Sequence, residues 1–135
     1  MKAQHRFKLP KAFRKKWLEA LRSGEYKQIS GQLMDVEYDE ATNEYFYDNP
    51  IGFCCLGVAC DIVGHKEELN QFMWDGYPSV CFDREYNNVF KKLPKIIRES
   101  SDQGGDFTYI VAGMNDDGKS FTEIADWIEN NTIAT

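Results

Sequence analysis

Apolar and polar positions sort into short stretches along this chain. The densest apolar stretch is residues 53–64, Phe-Cys-Cys-Leu-Gly-Val-Ala-Cys-Asp-Ile-Val-Gly. It is too short to span a bilayer, which takes roughly 20 apolar residues in a row. Leu56, Ala59, Cys60 and Val63 recur at helical spacing, and Cys55 and Ile62 add apolar surface on other sides. The pattern predicts a short central helix surrounded by protein, with the fold growing around it.

Other elements follow from the same periodicities. A first helix is expected from about Pro10, whose fixed φ suits a first helical turn. Its apolar stripe is Phe13, Trp17, Leu18 and Leu21, with Lys11, Arg14, Lys15 and Glu19 off the stripe, and Ser23-Gly24 ends it. Residues 26–34 and 44–48 read as two strands joined through the acidic connection around Asp39 to Asn43. Asp48-Asn49-Pro50 interrupts before the cysteine helix, and Gly64 closes that helix. Trp74 to Pro78 signals a turn, Val80-Cys81-Phe82 a short strand, and Pro94 opens a helix to about Ser100. Residues 101–106 read as a loop and Phe107 to Ala112, rich in β-formers, as a strand. Asn115-Asp116-Asp117-Gly118 is turn chemistry leading into Ser120-Phe-Thr-Glu123, a capping box. Phe121, Ile124, Ala125 and Ile128 then share one face of a last helix.

No repeat or Pro/Gly-rich linker divides the 135 residues, so they read as one domain, with residues 1–9 as a flexible basic arm. The expected fold is α+β. A small antiparallel sheet packs against a buried central helix, and helices from the two ends of the chain flank it. An apolar content of 42%, with 14% aromatic, is enough for a real core.

Charge is divided along the chain. Residues 1–22 carry eight cations and one anion, net +7, whereas residues 23–135 carry eight cations and 21 anions, net −13. A basic arm on an acidic body could engage a phosphate-bearing ligand or an acidic partner, or could simply be a solvated helix face. The acidic body would repel a nucleic-acid backbone, which argues against DNA. The N-terminus is basic but has no apolar h-region, so no secretory signal is expected. Four cysteines without export read as thiols in a reducing cytoplasm.

Those cysteines raise the question of catalysis. Cys54 or Cys55 at a helix start would have its thiol pKa lowered by the dipole and free amides. A nucleophile also needs a positioned base, and the two histidines fall poorly for that: His5 lies in the N-terminal arm and His65 at the far end of the same helix. Buried structural cysteine is the better reading, and no catalytic residue is assigned. No metal site is expected either. The cysteine spacing matches no zinc pair, and an EF-hand framed on Gly118 would put Gly113 and Ile124 where carboxylates belong. Nothing calls for a cofactor. Phosphate loops are absent, and the capping-box helix is not followed by a basic recognition helix.

A noncovalent ligand site is the remaining possibility. Cations and rings lie close together in Arg14, Trp17, Arg22, Tyr26 and Lys27, a combination that suits a phosphate and a base. The candidate contacts are Arg22, Lys27 and Gln28, with Tyr26 as a stacking surface and, if their turn faces the same cleft, Asn115 and Asp116 as partners for ribose hydroxyls.

Three blocks carry a resemblance: Trp17 to Gln28 (WLEALRSGEYKQ), Phe53 to Val58 (FCCLGV) and Asn115 to Ala125 (NDDGKSFTEIA). In that order they resemble a group of small uncharacterised bacteriophage and prophage proteins. The resemblance implies a phage accessory protein of the host bacterial cytoplasm. By analogy with known phage sponges, it implies a non-catalytic protein sequestering a nucleotide signal of host antiviral defence. An inhibitor docking on a host protein, and a small hydrolase acting on the same signal, are the alternatives. Assembly with copies of itself is compatible with each.

Overall fold

The computed structural model describes residues 7–31, 33–69, 91–98 and 107–135. Pro10, at φ −55° and ψ 135°, caps α1 (Lys11–Arg22), and the expected stripe of Phe13, Trp17, Leu18 and Leu21 is buried. Just before it, residues 7–9 are not part of a free arm. They form β1 (Phe7–Leu9), paired in parallel with β4 (Thr132–Ala134) at the other end of the chain. Two further bonds close this clasp, Lys11 N–H to Thr135 O at 3.2 Å and Thr135 N–H to Leu9 O at 2.9 Å. Leu9, wholly buried, supplies the apolar reason for the strand. Residues 1–6 lie outside the described residues.

The hairpin is present with shifted boundaries. β2 (Met34–Asp39) pairs antiparallel with β3 (Glu44–Phe53), and the turn carries Asn43 at φ 61°, a left-handed conformation that asparagine tolerates. Residues 26–31 are therefore not part of the strand, which begins at Met34, although Gln28 makes an isolated parallel bridge to Phe53. Pro50 does not interrupt β3. The ladder shifts register on both sides of Val36, whose partner is Pro50, and a bulge is where a residue without an N–H fits a sheet.

β3 leads directly into α2 (Cys55–Ile62), which is the expected central helix, and Gly64 at φ +88° closes it. Residues 55–60 are all buried. Gly57 lets the helix meet the chain before β2, since a Cβ there would sit 1.7 Å from Leu33 O. Trp17 Nε1–H donates to Cys55 O at 3.0 Å, tying α1 to α2 through the middle of the core. A further helical turn covers 66–69, and α3 (Lys95–Arg98) follows Pro94.

Residues 107–112 are helical, which corrects the expected strand. They open α4 (Phe107–Asp116), whose buried positions Phe107, Thr108, Val111, Ala112 and Asn115 follow helical spacing. A strand would put Phe107, Tyr109 and Val111 on one face, yet Tyr109 is 50% exposed between two buried neighbours. Local β-preference yields here to packing on α2 and α3. Asn115 and Asp116 thus belong to the helix, and only Asp117 and Gly118, at φ +91°, form the turn. The capping box on Ser120 and Glu123 starts α5 (Phe121–Asn131), with Phe121, Ile124, Ala125 and Ile128 buried.

The architecture is α+β. A small antiparallel hairpin meets the buried α2, while α1 and α5 pack on each other and flank it. The turn expected at 74–78, the strand at 80–82, the helix end near Ser100 and the loop at 101–106 lie outside the described residues.

Candidate functional site

The proposed contact residues fall into three places. Tyr26 and Lys27 share one cleft. Arg22 lines a second concavity. Gln28, Asn115 and Asp116 meet at a junction inside the structure.

The junction is built on Asn115, which is 2% exposed. Its Nδ2 donates to Ile29 O at 2.7 Å, and its Oδ1 accepts from Gln28 Nε2 at 3.0 Å and from Cys55 N–H at 3.1 Å. Gln28 Nε2 also donates to Lys119 O at 2.7 Å, and Asp116 Oδ1 accepts from Gly31 N–H at 2.9 Å. These bonds pin the 28–31 segment to α4 and satisfy one of the orphan amides at the start of α2. All three side chains are engaged within the chain.

Arg22 ends α1 and holds two carboxylates of α5, Asp126 Oδ1 at 2.8 Å and Glu129 Oε1 at 2.6 Å. Its hydrogen bonds to Glu129 and Asp126 raise its pKa further. Arg22 lines an open groove of about 580 Å³ along α1, with Lys11, Arg14, Lys15, Leu18 and Ala134 among its walls. Arg14 is tied back by Nε to Thr132 Oγ1 at 3.0 Å and by its guanidinium to Glu129 O at 3.1 Å. Lys11 and Lys15 make no ion pair among the described residues.

The Tyr26 cleft is smaller, about 320 Å³, which is at the lower end for a small-molecule site. Tyr26 and Lys27 form one wall, Pro50 to Phe53 of β3 another, and Asp61 and Lys66 close it from the end of α2 and the residues after it. The Tyr26 ring meets Phe53 edge-on at 5.2 Å, and its hydroxyl donates to Asp61 Oδ2 at 2.6 Å. Burial, and next the Asp61 carboxylate, push the phenol well above its ordinary pKa. It is a fixed hydrogen-bond donor at all physiological pH. The backbone is equally tight. A Cβ on Gly52 would lie 2.5 Å from Ile29 Cγ2 and 2.9 Å from Lys27 O, so glycine is what allows the 27–29 segment to lie on β3. Two cations, Lys27 and Lys66, and two carboxylates, Glu25 and Asp61, surround the opening. The periodicity reading missed Asp61 and Lys66. The signal was present, because Asp61 is the one charged residue in the apolar run 53–64.

The cysteines are packing residues. Cys54, Cys55 and Cys60 are free thiols with no exposure. Cys54 does occupy the start of α2, where its Sγ accepts from Gly57 N–H at 3.4 Å. Burial nevertheless outweighs the amides and pushes its thiol up to about 12, opposite to the lowering expected for a helix start. Cys55 and Cys60 are pushed up by burial as well. Cys81 lies outside the described residues. His65 is 3% exposed. Its Nε2 accepts from Lys92 N–H at 3.0 Å, which assigns the ring proton to Nδ1, 3.0 Å from Glu68 Oε1. Among the described residues no group of three or more His, Cys, Asp or Glu is arranged to hold a metal ion, and no helix is long and apolar enough to cross a membrane.

Residues 9–104 match a family described as a domain of unknown function (DUF8296), and the chain belongs to that family. The matched span contains the whole Tyr26 cleft and the blocks Trp17 to Gln28 and Phe53 to Val58, and it ends before the block Asn115 to Ala125. No curated protein and no solved structure matches the chain.

Proposed function

We propose that this is a non-catalytic phage accessory protein that binds and sequesters a phosphate-bearing nucleotide signal of host antiviral defence in the bacterial cytoplasm. The observation that carries the reading is the Tyr26 cleft, where two lysines stand beside an aromatic and apolar wall. Lys27 and Lys66 supply charge for phosphate oxygens. Tyr26 with Ile51 supplies apolar surface for a base, and Glu25 an acceptor for ribose hydroxyls. The phage origin rests on the three-block resemblance.

The test is to incubate the protein with a panel of cyclic nucleotides, denature it by heat and analyse what is released. Intact recovery of one nucleotide, lost in Lys27→Glu and Lys66→Glu, supports sequestration. A converted product makes the protein a small hydrolase instead. If nothing is captured, the nucleotide reading is wrong.

An inhibitor docking on a host protein is the second reading. It is favoured by Tyr38, Tyr45, Phe46 and Ile51 of the hairpin, which are each about 40% exposed, more than is usual for such large apolar side chains.

A further inference from the structure

The charge division seen along the chain becomes, in three dimensions, two surfaces of opposite sign with matching apolar content. From Gln28 to His65 the chain contains no lysine or arginine, and β2, the start of β3 and their turn carry Asp35, Glu37, Asp39, Glu40 and Glu44. Asp39 and Glu44 stand directly opposite one another across the ladder, a like-charge pair that costs stability while no cation lies between them. On the same face Phe46 is 39% exposed, and Tyr38, on the opposite face, is 41% exposed. An acidic hairpin end with apolar side chains among its charges is the result.

The α1 groove is its complement. Leu18 and Ala134 give it apolar surface, and among its lining residues the exposed cations Lys11 and Lys15 outnumber the one carboxylate, Glu19. Arg14 and Arg22 are already occupied by bonds to α5 and β4, so the two lysines provide the charge available to a partner. Hairpin and groove are exposed at the same time, so the chain does not bring its own two surfaces together.

We propose that the hairpin end of one copy docks into the α1 groove of a second copy, with Glu40 and Glu44 facing Lys11 and Lys15, and Phe46 supplying apolar contact. Made reciprocally, the contact closes as a two-fold dimer; made once per pair, it is heterologous and continues into a ring or an open chain of copies. It is independent of the nucleotide reading, whose cleft lies elsewhere. Exposed ion pairs are individually weak and are screened by salt, so the association is reversible and falls steeply with ionic strength.

Charge reversal on both surfaces tests this. Sedimentation velocity of the full chain over a concentration series at low salt gives the wild-type association. At roughly 0.5 M salt, where screening acts within roughly 4 Å, it should be largely lost. Lys11→Glu with Lys15→Glu, and separately Glu40→Lys with Glu44→Lys, should each weaken association at least about tenfold. The chain carrying all four substitutions restores the opposite signs and should associate as the wild type does. Circular dichroism confirms that each variant is folded, and Lys15→Gln and Glu44→Gln give the same ordering at smaller amplitude should a reversal unfold the chain. A wild type that stays monomeric throughout the series overturns the proposal, whatever host protein the hairpin then proves to bind. So does association that ignores salt, or a fourfold variant that fails to recover.

Discussion

Gly57 sits in the FCCLGV block, and its replacement by alanine should be among the most damaging small changes available. In an isolated helix the substitution would be favourable by about 1 kcal/mol, because glycine is a poor helix former. Here the added Cβ would lie 1.7 Å from Leu33 O and 2.8 Å from Leu33 C, so α2 and the chain before β2 must separate by more than an ångström. The atom in the way is backbone and cannot swing aside. The same Leu33 O accepts from Cys54 N–H at 3.2 Å, so the movement also orphans an amide in a residue with no exposure. A lost buried bond costs about 1–3 kcal/mol and overpacking about 1–3 kcal/mol. Because the overlap is deep, the upper part of both ranges applies, and after the helix gain the net loss should be about 3–5 kcal/mol. For a chain of this length that lowers Tm by roughly 10–18 °C. Thermal unfolding followed by far-ultraviolet circular dichroism measures it. Gly113→Ala is the control. It lies in α4 with nothing within 4 Å of the added Cβ, and it should raise Tm by roughly 3 °C. A Gly57→Ala protein melting within a few degrees of wild type would refute the close approach of α2 and Leu33.

Four further outcomes follow from hydrogen-bonded polar groups and caps. Asn115→Ala leaves Cys55 N–H and Ile29 O unsatisfied and should cost about 2–4 kcal/mol in urea unfolding; Ser120→Ala, which removes an exposed cap, should cost only about 1 kcal/mol. Cys54 has its thiol raised from 9.0 to about 12, so its contribution to stability is complete below pH 9 and is lost as pH rises towards 12. Unfolding free energy should therefore fall over that window, and less steeply in Cys54→Ser, whose hydroxyl can take over the cap. Glu68 pays a burial penalty that by itself would raise its pKa, but the His65 hydrogen bond and nearby charges bring it below 4.5. Its stabilisation is present above pH 4.5 and is lost as pH falls below that value, so Glu68→Gln should flatten the acid arm of a stability–pH curve measured by denaturant titration.

How far the fold could be read in advance depended on whether one local signal decided each element. α1 and α2 have an apolar stripe and start and stop signals that agree, and each formed within a residue or two of its expected bounds, while α5 starts at its expected cap. Residues 107–112 have β-forming side chains but a helical set of burial partners, and composition could not reveal that Phe107 would meet Trp17 at 5.9 Å and Phe7 at 5.3 Å. The β1–β4 clasp joins positions more than 120 residues apart, and three residues hold no periodicity to read. Pro50 misled for a related reason: its missing N–H excludes it from a regular ladder, but not from a bulge that only the partner strand reveals.

The site was legible only where neighbours in sequence stayed neighbours in space. Tyr26 and Lys27 did so, and the cleft they share gains Asp61 and Lys66 through the return of the chain along α2. Asn115 and Asp116 have polar side chains that suit a ribose, and Gln28 one that suits a nucleotide contact, yet such side chains equally suit backbone groups left open at the start of α2 and in the 28–31 segment. Asn115 shows how the fold decides between the two roles. An exposed asparagine could recognise a ligand, but one that is 2% exposed and bonded on both polar atoms already has its partners. The FCCLGV block follows the same logic. Phe53 packs on Tyr26, Cys54 caps α2, Cys55 accepts from Trp17 and donates to Asn115, and Gly57 admits Leu33. A stretch in which almost every residue has a separate structural contact leaves little freedom for chemistry. The recognisable block therefore builds the scaffold, and the cleft lies at its edge, where the Tyr26 hydroxyl meets Asp61.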